Sequence, residues 1–434
     1  MNRVTVCFSF IICIAGFLFS QNKIESMFPS DTLRNDPINY VFPVYDGNLD
    51  SFTMRQFSVY ETSITSLFSR SIDSVAGHIA IGYAPITLLP KGLSIIIIQP
   101  FTHEEAHRSI LTNLKIGSIS QPFFNEQGGA YVKGVRDSEL KNLRDTNLPM
   151  FIRLHTAGIE SDYTIANKKI ERICLKIESP ENIFVSHYAY LSMLIAYQFS
   201  GIADSYLTPA KKKSSFQDEE ENELERDIVG HDVYGMIRHL FRPDMDYSRY
   251  TIYTDLSSDE QAFAKRIGWR SLINLVQPYY IMNGNVFQIT DKVSLSGSAG
   301  YCIAPFGDFI DENIFFKYGK FNISFYARQA QNRNSWFPAF GLGLVEYKPL
   351  DWFSATVRGH FWMQPENLDF NTAVGTPGGA GEVSLSFVLP NKNEGAVKGM
   401  GINIGALYKT SGFMPEIENH DAHFRMSAGL VVRF

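Results

Sequence analysis

The stretch FTHEEAHRSIL, residues 101–111, sets His103, Glu104 and His107 within five positions. On a helix, side chains at i and i+4 stand one above the other on one face, so His103 and His107 can converge on a single ion. Glu104 beside them can take a proton from a water bound to that ion. The chemistry this spacing suggests is hydrolysis by metal-activated water.

That chemistry needs a helix to hold the three residues. With His103 as the first helical residue, Thr102 becomes the N-cap and Glu105 the third position, a Thr-x-x-Glu capping box. At 100° per residue His103, His107, Ile110, Leu111 and Leu114 share one face, with Glu105, Arg108, Ser109 and Thr112 opposite. Both histidines are expected to point into the protein. A catalytic site also needs a third protein ligand and one open position. The next stretch able to supply it is LHTAGIESDYTIANKKIERICLKIE, residues 154–178, where Ile159, Tyr163, Ala166, Ile170, Ile173 and Ile177 form one apolar helical stripe. Glu160 lies at the edge of that stripe and His155 just before it.

The His-Glu-x-x-His pattern, with an acidic residue on a later helix, resembles the gluzincin branch of the zinc metallopeptidases. The resemblance covers about 80 residues, and its specific element is five residues long. It implies zinc held by His103, His107 and Glu160, with Glu104 as general base and then acid. His155 is the alternative metal ligand, and Asp162 is the carboxylate that orients a histidine. A peptide or protein substrate follows. The chain departs from the family in the charged Glu105 after the catalytic glutamate and in the short spacing from Glu160 to Asp162.

GHDVYGMIRHLF, residues 230–241, carries His231, Asp232, Arg238 and His239, of which a protonated His or Arg238 could face an oxyanion; its spacing reads as an ordinary helix with surface histidines. His187 reads as a core histidine.

The elements around these residues fall into two periodicities. Residues 1–20 have Arg3 before an apolar run and read as a secretory signal peptide. Residues 21–283 read as mainly helical and metallopeptidase-like, and residues 284–434 as an antiparallel β-barrel of about eight strands, giving an α+β chain. In the second region FSATVRGHFW and HFRMSAGLVVRF alternate apolar and polar residues over about ten positions, the length of a tilted outer-membrane strand. The final strand ends on Phe434 and would turn Phe424, Met426, Ala428, Leu430 and Val432 to one face. This ending resembles outer-membrane β-barrels, which implies export to the outer membrane of a Gram-negative bacterium and outer-membrane lipid as a partner. An aromatic content of 14%, with 34 Phe and 21 Tyr, suits a lipid-facing surface.

Residues 182–203 form a run without formal charge, read as a helix buried in a domain core or lying on a membrane surface. Residues 77–90 read as strand and loop, leading through LSIIII to the motif, and residues 211–227 as a charged, solvated loop. Beyond the leader only Cys174 and Cys302 are left as a possible pair. A net charge of −6 argues against nucleic acid. Two other functions fit the same residues: a noncatalytic structural or transport barrel with a chance motif, and a lipid-modifying hydrolase.

Overall fold

A computed structural model describes residues 37–47, 52–78, 84–121, 129–206, 221–278, 287–290, 292–391 and 396–434. The expected signal peptide and residues 211–220 of the charged loop lie outside them.

The chain is mixed α+β. Strand β1 (Asn39–Asp46) precedes a helical stretch of α1 (Met54–His78), α2 (Ala84–Asn113), α3 (Asp137–Thr146), α4 (Leu148–Cys174), α5 (Pro180–Tyr206), α6 (Asp232–Phe241) and α7 (Ser258–Ser271). A short hairpin, β2 (Ile119–Gln121) and β3 (Tyr131–Lys133), interrupts it. Nine strands follow: β4 (Phe287–Thr290), β5 (Val293–Ala304), β6 (Gly307–Tyr318), β7 (Phe321–Gln331), β8 (Trp336–Leu350), β9 (Phe353–Pro365), β10 (Gly375–Pro390), β11 (Gly399–Lys409) and β12 (His423–Arg433).

These nine and β1 form one antiparallel sheet of ten strands, ordered β1-β12-β11-β10-β9-β8-β7-β6-β5-β4. The sheet thus recruits residues 39–46 from the region read as helical, through pairs such as Val41 with Val431. Among the described residues it is not closed into the barrel that the strand series suggested. At the β1 edge the Ser63 hydroxyl of α1 donates to the Val41 carbonyl (2.8 Å), which occupies an edge acceptor. The inner face bends around α4. Tyr163 bonds Asp311 on β6, Arg172 pairs with Glu346 on β8, Arg358 on β9 holds Glu171, and Ser296 on β5 meets Cys174.

Helix α4 is therefore buried on nearly every side, from Met150 to Cys174. Asn147 starts it, its side chain accepting from the Met150 N–H (3.3 Å), with Pro149 in the first turn, where a missing N–H costs nothing. Pairing the buried charges of α4 with charges on the strands satisfies groups that could not stay alone at this depth. The outer face of the sheet has the opposite character. On β12 the exposed Phe424, Met426 and Leu430 alternate with the buried Arg425 and Val431.

Two helix expectations change. Residues 84–90 belong to α2 rather than to strand and loop, and α2 runs through Pro90 and Pro100, so the motif sits inside a helix and does not start one. Thr102 is consequently no N-cap; its hydroxyl donates to the Gln99 carbonyl (3.0 Å) and Glu105 accepts from Arg108 (2.7 Å) and Ser120 (2.5 Å). The run of isoleucines in LSIIII suits a strand by propensity, but packing overrides such weak preferences. The uncharged run lies in α5, packed on α4 and α7 with Tyr190, Leu194 and His187 buried. Among the described residues no helix is long and apolar enough to cross a membrane. Cys174 and Cys302 are both free and buried, so the possible pair is not made.

Candidate metal centre

The motif turns both histidines inward, each about 1% exposed, because the face that carries them also carries Ile110 and Leu111 into the core. Helix α4 passes directly behind. A Cβ on Gly158 would lie 2.3 Å from His103 Nε2, so only glycine leaves room for that ring.

Both Nδ1 atoms are already engaged. His103 Nδ1 lies 2.9 Å from Asp162 Oδ2, and His107 Nδ1 lies 2.6 Å from the Leu154 carbonyl. A carbonyl only accepts, so His107 carries a proton on Nδ1 and presents Nε2 toward Asp232. A carboxylate at His103 Nδ1 favours the same tautomer there when a cation sits at Nε2. Gln99 donates to both oxygens of Asp162 (3.1 and 3.2 Å), fixing that carboxylate in turn.

The two Nε2 atoms point at one partner, Asp232, the first residue of α6. Its Oδ2 lies 3.1 Å from His103 Nε2 and 3.7 Å from His107 Nε2. The three ligand atoms lie within 4.8 Å of one another, and all three residues are buried. Two imidazole nitrogens and one carboxylate oxygen make a donor set that could hold a metal ion. The charges fit a cation: burial would raise the Asp232 carboxyl, yet His107 and His103 hold it far below the usual range. Burial likewise opposes protonation of His103, but Asp162 and Asp232 raise it well above the ordinary histidine value. Two carboxylates around one imidazole are a surplus of negative charge that a divalent ion would balance.

Glu104 and Tyr197, beside the histidines, are only partly buried. Tyr197 stacks on His103, with ring centroids 4.5 Å apart and planes 13° apart. Burial raises the Glu104 carboxyl to about 8, against the pull of His103 and His107. A carboxyl poised there can both take and return a proton near neutral pH.

The structure brings together His103, His107, Glu104 and Asp162, but Glu160 and His155 stand elsewhere. Glu160 faces away from the histidines into a buried ion pair with Arg153 (2.7 Å) and accepts from the Glu416 backbone N–H (2.7 Å). Two residues along α4 from Asp162 is a turn of about 200°, so one helix cannot aim both carboxylates at His103. His155 packs against Phe151 and His239, and burial presses its imidazole down to about 3. Arg238 and His239 are spent on Met245 and Ser248 respectively.

Asp232 is the candidate ligand that sequence reasoning passed over. It lies 129 residues from His103, and GHDVYG carries no spacing that ties it to the motif. The available signal was an aspartate flanked by His231 and Val233 at the start of a helix. Comparison with protein-family models, with curated proteins and with solved structures gives no match for this chain.

Proposed function

We propose that the protein is a zinc hydrolase of the outer membrane, in which His103, His107 and Asp232 hold the ion and Glu104 handles the proton. The observation that carries this reading is the arrangement of both histidines, with Nδ1 bonded outward and Nε2 aimed at a shared carboxylate. A chance motif has no reason to acquire matched outer partners. Zinc suits two nitrogens and one oxygen with a fourth position open, and it supplies polarisation of a carbonyl and acidification of a water.

The residues of the chain do the rest. Glu104 takes the proton of the attacking water and returns it to the leaving group, while Asp162 and the Leu154 carbonyl keep the two imidazoles in register. Carbonyl hydrolysis is the reaction class, and peptide bonds are the first substrates that the motif suggests. Outer-membrane placement rests on the outward apolar rows of the sheet, such as Ile402 and Leu430, set against an inner face of paired charges.

Elemental analysis of the purified full chain tests the reading. One zinc per chain, lost in His103→Ala and in Asp232→Asn and kept in Glu104→Gln, is the expected result. Absence of stoichiometric metal from the wild-type protein would leave the noncatalytic reading in its place.

A further inference from the structure

A chain of aromatic contacts runs from the outer face of the sheet to Phe101, three residues before Glu104 in α2. On the sheet Ile402 of β11 pairs with Leu430 of β12, which pairs with Phe42 of β1, so the three stand on one face; Ile402 and Leu430 are more than half exposed. From Phe42 the path continues to Tyr60 (ring centroids 6.0 Å), Phe52 (5.8 Å), Phe57 (5.6 Å) and Phe101 (5.6 Å). It crosses from strand to α1 and from α1 to α2. Phe101 is 51% exposed and Ile97 is 52% exposed. Positions 97, 101 and 104 are spaced i, i+4, i+7, so Ile97, Phe101 and Glu104 stand in one row along α2.

Phe52 and Phe101 are exposed and Phe42, Tyr60 and Phe57 half-buried, an apolar strip that water-soluble proteins rarely present beside a partly buried acid and a candidate metal ligand set. A soluble peptide offers nothing that needs it. An acyl chain does, because each methylene laid against an apolar surface leaves water and adds to its binding.

We propose that the substrate is a membrane lipid carrying an acyl ester, whose chain lies along Phe57, Phe101 and Ile97 and whose carbonyl reaches Glu104. This rests on the metallohydrolase reading above and names the substrate class of that same site. Water attacks the ester carbonyl carbon, the carbonyl-to-alkoxy bond breaks, and Glu104 passes the water's proton to the departing oxygen. A fatty acid and an alcohol leave, with no oxidant or second substrate required.

The test uses the full chain, loaded with zinc, in phosphatidylethanolamine and phosphatidylglycerol vesicles. A benzoylphenylalanine photo-crosslinker replaces Phe101, Ile402 or the water-facing Lys141 in turn. Lipid adducts at 101 and 402, with none at 141, are expected. Adducts at 402 alone, at 141 as strongly as at 101, or at none of the three overturn the proposal. In parallel, fatty acid released from the vesicles is measured for the wild type and for Phe101→Asp. The substitution is expected to keep its zinc and to lower release about tenfold or more, the loss of one large apolar contact. Peptide release from casein without fatty-acid release overturns the lipid assignment and leaves the hydrolase standing. An activity that survives Glu104→Gln, or none with zinc bound, overturns the hydrolase reading and this proposal with it.

Discussion

At the scale of single residues, the two acidic candidates on α4 separate cleanly. Asp162 bonds the outer nitrogen of His103, whereas Glu160 neutralises Arg153, and both members of that pair are about 1% exposed or less. Removing one partner of a buried ion pair typically costs about 3–5 kcal/mol, because the other charge is left uncompensated. Glu160→Gln should therefore lower the unfolding midpoint while zinc content stays at one per chain. Asp162→Asn also removes a buried partner, that of His103, but is expected in addition to weaken zinc affinity about 10–100-fold in a chelator competition. Gly158 offers a third contrast at the same scale. Its Cβ would sit 2.3 Å from His103 Nε2, so Gly158→Ala must push the ring or the helix aside. Reduced zinc affinity with little change in helix content, read by circular dichroism, is the expected outcome.

At the scale of elements, the helices bury neutral histidines. Burial holds His155 of α4 and His187 of α5 down to about 3 and His239 of α6 down to about 4. The unfolded chain binds these protons near pH 6.5, and the folded chain binds them only two or more units lower. Between those limits the unfolded state carries more protons, so stability rises with pH across the window and falls as the solution is acidified through it. The unfolding midpoint of the wild type should drop steadily from pH 6.5 to pH 4.5. His187→Phe, which removes one titrating group at a distance from the metal ligands, should make that slope shallower. An unchanged slope would show that another group governs the acid response.

At the scale of the whole molecule, the covered face of the sheet holds charged pairs among its core residues and the other face leaves large apolar side chains exposed. Arg328 pairs with Asp311, and Arg425 with Asp46 and Glu418, on the covered face, while Phe340, Leu342, Ile404 and Met426 are exposed on the other. If lipid covers that face, a lysine there meets hydrocarbon. Ile402→Lys should then destabilise the protein by up to about 2–4 kcal/mol in phospholipid vesicles. The measurement is urea unfolding of the vesicle-inserted chain; a neutral effect would place Ile402 in water and end the membrane reading.

How much of this was legible in the sequence depends on the range of each interaction. The α+β character, the alternating strands from about residue 290 and the inward turn of His103 and His107 all follow from local periodicity, because a helix or strand repeats its faces every few residues. The start of α2 was misplaced because a capping pattern at Thr102 is a local preference of about 1 kcal/mol, which the packed helix across Pro100 overrode. The approach of Asp232 to the histidines and the pairing of β1 with β12 had no local signature that tied the partners together. Each is a contact between segments more than a hundred residues apart, and its partner is chosen by which faces the folded core brings together. The sequence by itself determined the residue types able to hold a metal ion and the faces of the elements that carry them. Only the tertiary structure decided which carboxylate joins the two histidines, because a ligand set is defined by convergence in space and one helix cannot turn Asp162 and Glu160 toward the same atom.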